Sequence, residues 1–188
     1  ELIAALGPVQ VITIGYGKGY YIKPPGSKGT PQLDEITSKV IPFIEKTFSP
    51  PKPYMALGMS EGGANLITLA SLKPDLFDRV MIIHPAVLGE SVDPFNLLQI
   101  CKACVLIETN FTKQEWATAN PFYLVSHAKT FPKAFMMACP KDGFGLYLGA
   151  KELATFIQMR GFDITYRDDV SGCKHISWNN SQILEWLK

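Results

Sequence analysis

Apolar residues along the 188-residue chain follow two alternating rhythms. Short, nearly unbroken apolar runs predict buried strands at Pro8 to Gly15 (PVQVITIG), Tyr54 to Met59, Arg79 to His84 (RVMIIH), Lys133 to Ala138 (KAFMMA) and Asp163 to Arg167. Between them, apolar residues recur every three or four positions, the spacing of one helix face. Leu33, Ile36, Val40, Ile44 and Phe48 mark such a helix over Leu33 to Phe48, with Pro42 inside it to bend or split it. Glu61 to Leu72, Tyr147 to Arg160 and Ser177 to Leu187 predict three more, and Gly161 is placed to cap the second of these. Gly17 to Pro31, rich in Gly, Pro and Lys, predicts a loop. Ser91 to Pro132 predicts an irregular stretch with helical pieces and many aromatics.

Strands that alternate with helices predict a parallel sheet covered on both faces. The expected fold class is α/β: a three-layer α/β/α sandwich with a mostly parallel central sheet, in a single domain over residues 1–188. In such sheets, reactive groups collect beyond the carboxyl ends of the strands. Composition changes this picture little, since 47% hydrophobic and 19% charged residues are ordinary for one globular domain. Net charge is +1, from 18 basic and 17 acidic residues mixed along the chain. With no basic stripe or charge block, nucleic acid is not an expected partner. No apolar stretch reaches the roughly 18 residues of a membrane span. No signal peptide is visible. The chain starts at Glu1 rather than Met, so the alternative to one complete domain is the C-terminal part of a longer chain. Compartment and oligomeric state stay open.

Cys101-Lys-Ala-Cys104 has the spacing of metal or redox sites, but no second ligand pair accompanies it. The cysteines, Cys173 included, are expected to be free or locally paired thiols, and Cys139 a small core residue closing an apolar run. Neither a metal nor a cofactor is expected.

The sharpest chemical signal is Gly58-Met59-Ser60-Glu61-Gly62, a G-x-S-x-G pattern. It suits a serine on a sharp strand-to-helix turn, with its hydroxyl thrust out of the sheet in a strained backbone conformation. Gly58 and Gly62 are expected to pack against each other, which forbids side chains there, and Gly63 relaxes the turn further. By chance alone the bare pattern would occur in about one chain of this length in fifteen to twenty. The context is what carries it: an apolar strand runs straight in, and a helix with Ala64, Leu66, Ile67, Leu69 and Ala70 runs straight out. The alternative is a glycine-rich turn with a capping serine. The helix that starts at Glu61 would aim backbone N–H groups and its positive dipole end at the reaction site.

A serine hydroxyl needs a base. Of His84, His127 and His175, the first and last follow strands and could reach Ser60. In folds built on this turn the partners follow in the order serine, acid, histidine, which selects His175. The acid should follow a strand between them, as Asp142 does in Pro140-Lys-Asp-Gly-Phe-Gly145. Asp168 and Asp169 are the rivals, from where a carboxylate would have to turn back within its own loop. Asp75 and Asp78 lie toward the wrong edge and are expected to be solvated.

With these residues in hand, the chain resembles the esterase D type of α/β hydrolases, a group with feruloyl and enterochelin esterases and S-formylglutathione hydrolase. The similarity runs from Glu1 to the C-terminus: Ile41-Pro-Phe-Ile44, Gly58 to Gly63, Ser71 to Arg79, Asp142-Gly-Phe144, and Gly172-Cys-Lys-His175-Ile-Ser-Trp178. The resemblance implies an α/β-hydrolase fold, N-terminally short, with Ser60, Asp142 and His175 as nucleophile, acid and base. It implies cleavage of a small-molecule carboxylic ester through an acyl-enzyme. Glu61 stands where the family often carries Met, but only its backbone N–H is required of the oxyanion hole. The family's second oxyanion N–H comes from a loop upstream of where this chain begins. Gly17, in Gly15-Tyr-Gly-Lys-Gly19, is the nearest candidate here. One missing donor costs roughly 3 to 4 kcal/mol of barrier, or 100- to 1000-fold in rate.

Tyr16, His84, Phe144 and Trp178 are candidates to contact substrate, and Tyr20, Tyr21, Trp116, Phe122 and Tyr147 could join an aromatic pocket or be plain packing. The alternatives to an esterase are an acyltransferase on the same triad and a catalytically weak or inactive binding domain. A redox role for Cys101 and Cys104 is the most remote.

Overall fold

A computed structural model describes residues 11–14, 33–95, 111–168 and 180–187 of the chain. Its elements, in chain order, are α1 (Leu33–Glu35), a π turn (Ile36–Val40), α2 (Ile41–Phe48), β1 (Tyr54–Met59), α3 (Glu61–Leu72), a 3-10 turn (Pro74–Leu76), β2 (Phe77–Ile83), α4 (Lys113–Ala119), α5 (Pro121–His127), β3 (Lys133–Met137), α6 (Tyr147–Met159), β4 (Ile164–Arg167) and α7 (Asn180–Leu187). The four strands pair in sequence order, β1-β2-β3-β4, and every pair is parallel.

The two faces of the sheet are set by the alternation of side chains along each strand. Val80, Ile82, Ala134 and Met136 face one side and pack against Ala64, Ile67 and Ala70 of α3, Val125 of α5 and Leu153 and Ile157 of α6. Met81, Ile83, Phe135 and Met137 face the other, where Ile183 and Trp186 of α7 cover them. The Phe135 and Trp186 rings sit 5.6 Å apart between centroids. Helices on both faces of a parallel sheet make the expected three layers. Continuous apolar runs such as Val80 to Ile83 follow from burial on both sides.

Pro42 acts on the helix before it. Lacking an N–H, it cannot bond the Ser38 carbonyl, and its ring crowds the preceding turn. The ladder answers with a π turn over Ile36–Val40, in which the Ile41 N–H donates to the Ile36 carbonyl. Gly161 closes α6 as expected, at φ +79°, with its N–H on the Gln158 carbonyl. Within the irregular stretch the helical pieces are α4 and α5. Thr112 and Glu115 form a reciprocal capping box on the first, and the Asn120 side chain caps the second.

One expectation changes. Residues 11–14 of the Pro8 to Gly15 run adopt no strand, and Val11 and Ile14 are 59% and 46% exposed. An apolar run specifies a strand only where a ladder partner meets it, and among the described residues β1 pairs on one side only, with β2. Cys139 is buried as expected, and of the two states left open for the cysteines, free or paired, it takes the paired one: it is disulfide-bonded. Cys101, Cys104 and Cys173 lie outside the described residues.

Leu153 is fully buried between α6 and the sheet. Leu153→Ala is expected to lower the unfolding free energy by about 2 to 5 kcal/mol, read from the urea midpoint at unchanged m-value. A loss under about 1 kcal/mol would contradict the packing described for α6.

Candidate active site

The four strands end in register. Met59, Ile83, Met137 and Arg167 form one row across the sheet. The residues just beyond them carry the ladder one step further. Ser60 donates its N–H to the Ile83 carbonyl at 3.0 Å, His84 to Met137 at 2.7 Å, and Ala138 to Arg167 at 3.0 Å. The carboxyl edge therefore presents Ser60, His84, Ala138 and Asp168 side by side. This is where a parallel sheet collects its chemistry.

Ser60 sits between β1 and α3 with φ 56° and ψ −122°. That region is sparsely populated for a residue with a Cβ and costs on the order of 1 to 3 kcal/mol. Backbone hydrogen bonds hold it there. The Ser60 carbonyl accepts from Gly63 at 3.0 Å, Ala64 at 3.2 Å and Ala86 at 2.9 Å. Close approach of the helix to the strand sets the glycines. A Cβ on Gly58 would collide with the Gly62 carbonyl, and one on Gly63 would stand 3.1 Å from Pro85. A Cβ on Gly62 meets nothing within 4 Å. Gly58 and Gly62 thus pack against each other as expected, but the second position that excludes a side chain is Gly63 rather than Gly62. Gly62 contributes the backbone that Gly58 touches. Glu61 is the first residue of α3, at the positive end of the helix.

The segment after β2 is clamped from both sides. Gly63 of α3 presses on Pro85, and Gly149 of α6 lies so close that an added Cβ would stand 2.7 Å from the Gly89 nitrogen. Glu152 of α6 accepts from the Glu90 N–H at 3.0 Å. His84 opens this segment at φ 45° and is only 3% exposed.

Asp142 lies in the loop after β3. Its N–H donates to the Cys139 carbonyl at 3.0 Å. Its carboxylate accepts from Phe144 N–H at 3.1 Å on one oxygen and from Leu146 N–H at 2.7 Å on the other. These bonds wrap the loop around the carboxylate and lead into α6. Asp142 shares a crevice of about 10 Å³ with His84, Cys139, Leu146 and Tyr147, which is the volume of one water probe. Sequence reasoning thus placed Asp142 and His84 at the edge where the structure brings them together.

Asp168 is engaged otherwise. Tyr147 donates its hydroxyl to Asp168 Oδ2 at 2.6 Å, and Lys151 Nζ lies 3.4 Å from the same oxygen. The Tyr147 hydrogen bond, then Lys151, hold the Asp168 carboxyl below its ordinary range. Nothing in the spacing of these residues, 21 apart, marked them as a pair.

His175, Gly17, Tyr16, Tyr20, Tyr21, Trp178 and Asp169 lie outside the described residues. Phe144 is exposed on the Asp142 loop. Trp116 and Phe122 instead line a cleft of about 410 Å³, with Phe95, Tyr123 and Phe156, whose walls include neither Ser60 nor Asp142. His127 is exposed and stacks on Tyr123. Asp78 pairs with Arg79 at the surface. Among the described residues no cluster of His, Cys, Asp or Glu could hold a metal ion, and no helix is long and apolar enough to cross a membrane.

No family model matches the sequence. No curated protein matches it. Solved structures do. A ferulic acid esterase aligns at TM-score 0.57 and 17% identity, over 90% of this chain and 61% of its own. An S-formylglutathione hydrolase from Agrobacterium tumefaciens aligns at TM-score 0.61 and 18% identity, over 90% and 59%. The fold is that of an α/β hydrolase. Brefeldin A esterase, a bacterial homologue of human hormone-sensitive lipase, shares it at TM-score 0.58 and 15% identity, over 85% of this chain and 50% of its own. The chain spans about three fifths of the length of the first two of these α/β hydrolases.

The steric assignment of the glycines is testable. Gly58→Ala is expected to cost about 3 kcal/mol or more, because a backbone carbonyl cannot yield as a side chain can. Gly62→Ala should stay within about 0.5 kcal/mol of the parent. Chemical denaturation of the two variants side by side reads the difference, and equal losses would return the steric role to Gly62.

Proposed function

We propose that this protein is a serine hydrolase that cleaves small-molecule carboxylic esters, with Ser60 as nucleophile, His175 as base and Asp142 as acid. The observation that carries the reading is the backbone of Ser60. A serine at φ 56° and ψ −122° between a parallel strand and a helix, fixed by bonds to Ile83, Gly63, Ala64 and Ala86, is strain maintained at the carboxyl edge of the sheet. Such strain is a pointer to function.

Strand spacing supports Asp142 over Asp168. Two hydrogen bonds of about 3 Å with an imidazole between them span roughly 8 Å from serine oxygen to carboxylate. Neighbouring strands lie about 4.8 Å apart, so β3 is roughly 10 Å from β1 and β4 roughly 14 Å. A loop after β3 meets the requirement, while β4 stands one strand too far.

In the proposed reaction, His175 takes the Ser60 proton as Ser60 Oγ attacks the ester carbonyl. Asp142 holds the imidazole in one tautomer and stabilises its positive charge. The Glu61 N–H, at the positive end of α3, bonds the developing oxyanion. Collapse of the tetrahedral intermediate breaks the bond to the leaving alkoxide, which His175 protonates. Water, deprotonated by His175, then attacks the acyl-enzyme and releases the acid and free Ser60. No step calls on a metal or a cofactor.

Labelling with a fluorophosphonate probe tests the reading. Wild type should label at Ser60 and Ser60→Ala should not. A wild type that neither labels nor cleaves p-nitrophenyl acetate ends the hydrolase reading. The base is tested separately. His175→Ala is expected to lower kcat by about 10³-fold or more, whereas His84→Gln should cost under about 10-fold. The reverse ranking would make His84 the base. Product analysis with added alcohol distinguishes hydrolysis from acyl transfer.

A further inference from the structure

Both stems of the loop that carries Asp142 are fastened to the end of β4. At the first stem, Ala138 donates its N–H to the Arg167 carbonyl at 3.0 Å. At the second, Tyr147 opens α6 and donates its hydroxyl to Asp168 Oδ2 at 2.6 Å. Arg167 and Asp168 are consecutive, so one dipeptide anchors both ends of the loop. Lys151, one turn along α6, lies 3.2 Å from the Tyr147 hydroxyl and 3.4 Å from Asp168 Oδ2. Burial beside this group pushes the Tyr166 hydroxyl up, which keeps it neutral. Asp168 and Lys151 form the ion pair of this group.

The tie reaches Asp142 through one residue. Leu146, immediately before Tyr147, gives its N–H to Asp142 Oδ2 at 2.7 Å. A shift of Tyr147 therefore moves the donor that aims the Asp142 carboxylate. We propose that Asp168 is a positioning residue: through the Tyr147 hydroxyl it fixes the far stem of the acid loop and sets the direction of the Asp142 carboxylate. The proposal rests on the reading of Asp142 as the triad acid. Asp168 is also seven residues before His175 in the sequence. The same contact thus joins the acid loop to the root of the segment that bears the base.

Tyr147→Phe removes one hydroxyl and keeps the ring; Asp168→Asn keeps an acceptor and removes the charge. Three measurements on each variant test the proposal: amide hydrogen exchange, the kinetics of p-nitrophenyl acetate cleavage against pH, and fluorophosphonate titration to count active sites. The amides of Phe144 and Leu146 are expected to exchange about 10-fold faster in Tyr147→Phe, with those of Phe135 and Met136 unchanged. Per active site, kcat should fall about 10-fold with KM within about twofold. The acid limb of kcat/KM should move to lower pH by about half a unit, because an imidazolium that loses its aligned carboxylate gives up its proton more easily. Asp168→Asn should fall between wild type and Tyr147→Phe.

Unchanged exchange at Phe144 and Leu146 in both variants overturns the tie, whether or not the protein cleaves esters. Faster exchange with an unmoved pH limb and unchanged kcat per site makes the contact structural only, which overturns the positioning role. A wild type that never labels at Ser60 is a different failure. It removes the hydrolase reading, and the positioning role with it, while leaving the exchange result as it stands.

Discussion

The carbonyl of Ser60 is the knot of the site. It accepts from two residues of α3 and from Ala86 in the segment beyond β2. Those bonds join a strand, a helix and the neighbouring strand's exit at one atom. They hold Ser60 at a positive φ that costs about 1 to 3 kcal/mol. Geometry of this kind needs close backbone approach, and close approach needs Gly58 and Gly63 without side chains. The segment beyond β2 is pressed from both sides of that junction, by Gly63 at Pro85 and by Gly149 at Val87 to Gly89.

Around this knot the sheet edge acts as a ruler. Because β1 to β4 end in one row, the residue after each strand takes a fixed place, and distance along the edge is counted in strands. Ser60 and the Asp142 loop lie two strands apart, with the buried His84 between them. Helices on both faces lock the row, since the apolar residues that alternate along β2 and β3 are shared between two cores.

Much of this was legible in the sequence, for reasons that differ by element. Strands β1 to β4 and helices α3 and α6 were placed within a few residues because apolar period and glycine caps are local signals. The placement of the Ser60 turn and the Asp142 loop along one edge was legible because a parallel sheet sends every strand end to one edge. What escaped depends on contacts between distant segments. The role of Gly63 is set by how near Pro85 comes, which no spacing records. The hydroxyl of Tyr147 finds Asp168 only once α6 lies along β4. Residues 11–14 carry strand composition without a ladder, and Val11 and Ile14 stay exposed. His175, read from chain order and resemblance, lies outside the described residues, so the base rests on sequence alone.

Cys139 gives the Asp142 loop a covalent root. It is buried, it is disulfide-bonded, and its carbonyl accepts the N–H of Asp142. A cross-link of that kind forms and persists under oxidising conditions and is rare where glutathione keeps thiols reduced. The redox poise in which the chain folds thus decides how the Asp142 loop is held. Without the cross-link, the bonds of Asp142 to the Cys139 carbonyl and to the Phe144 and Leu146 N–H groups are left to hold that loop.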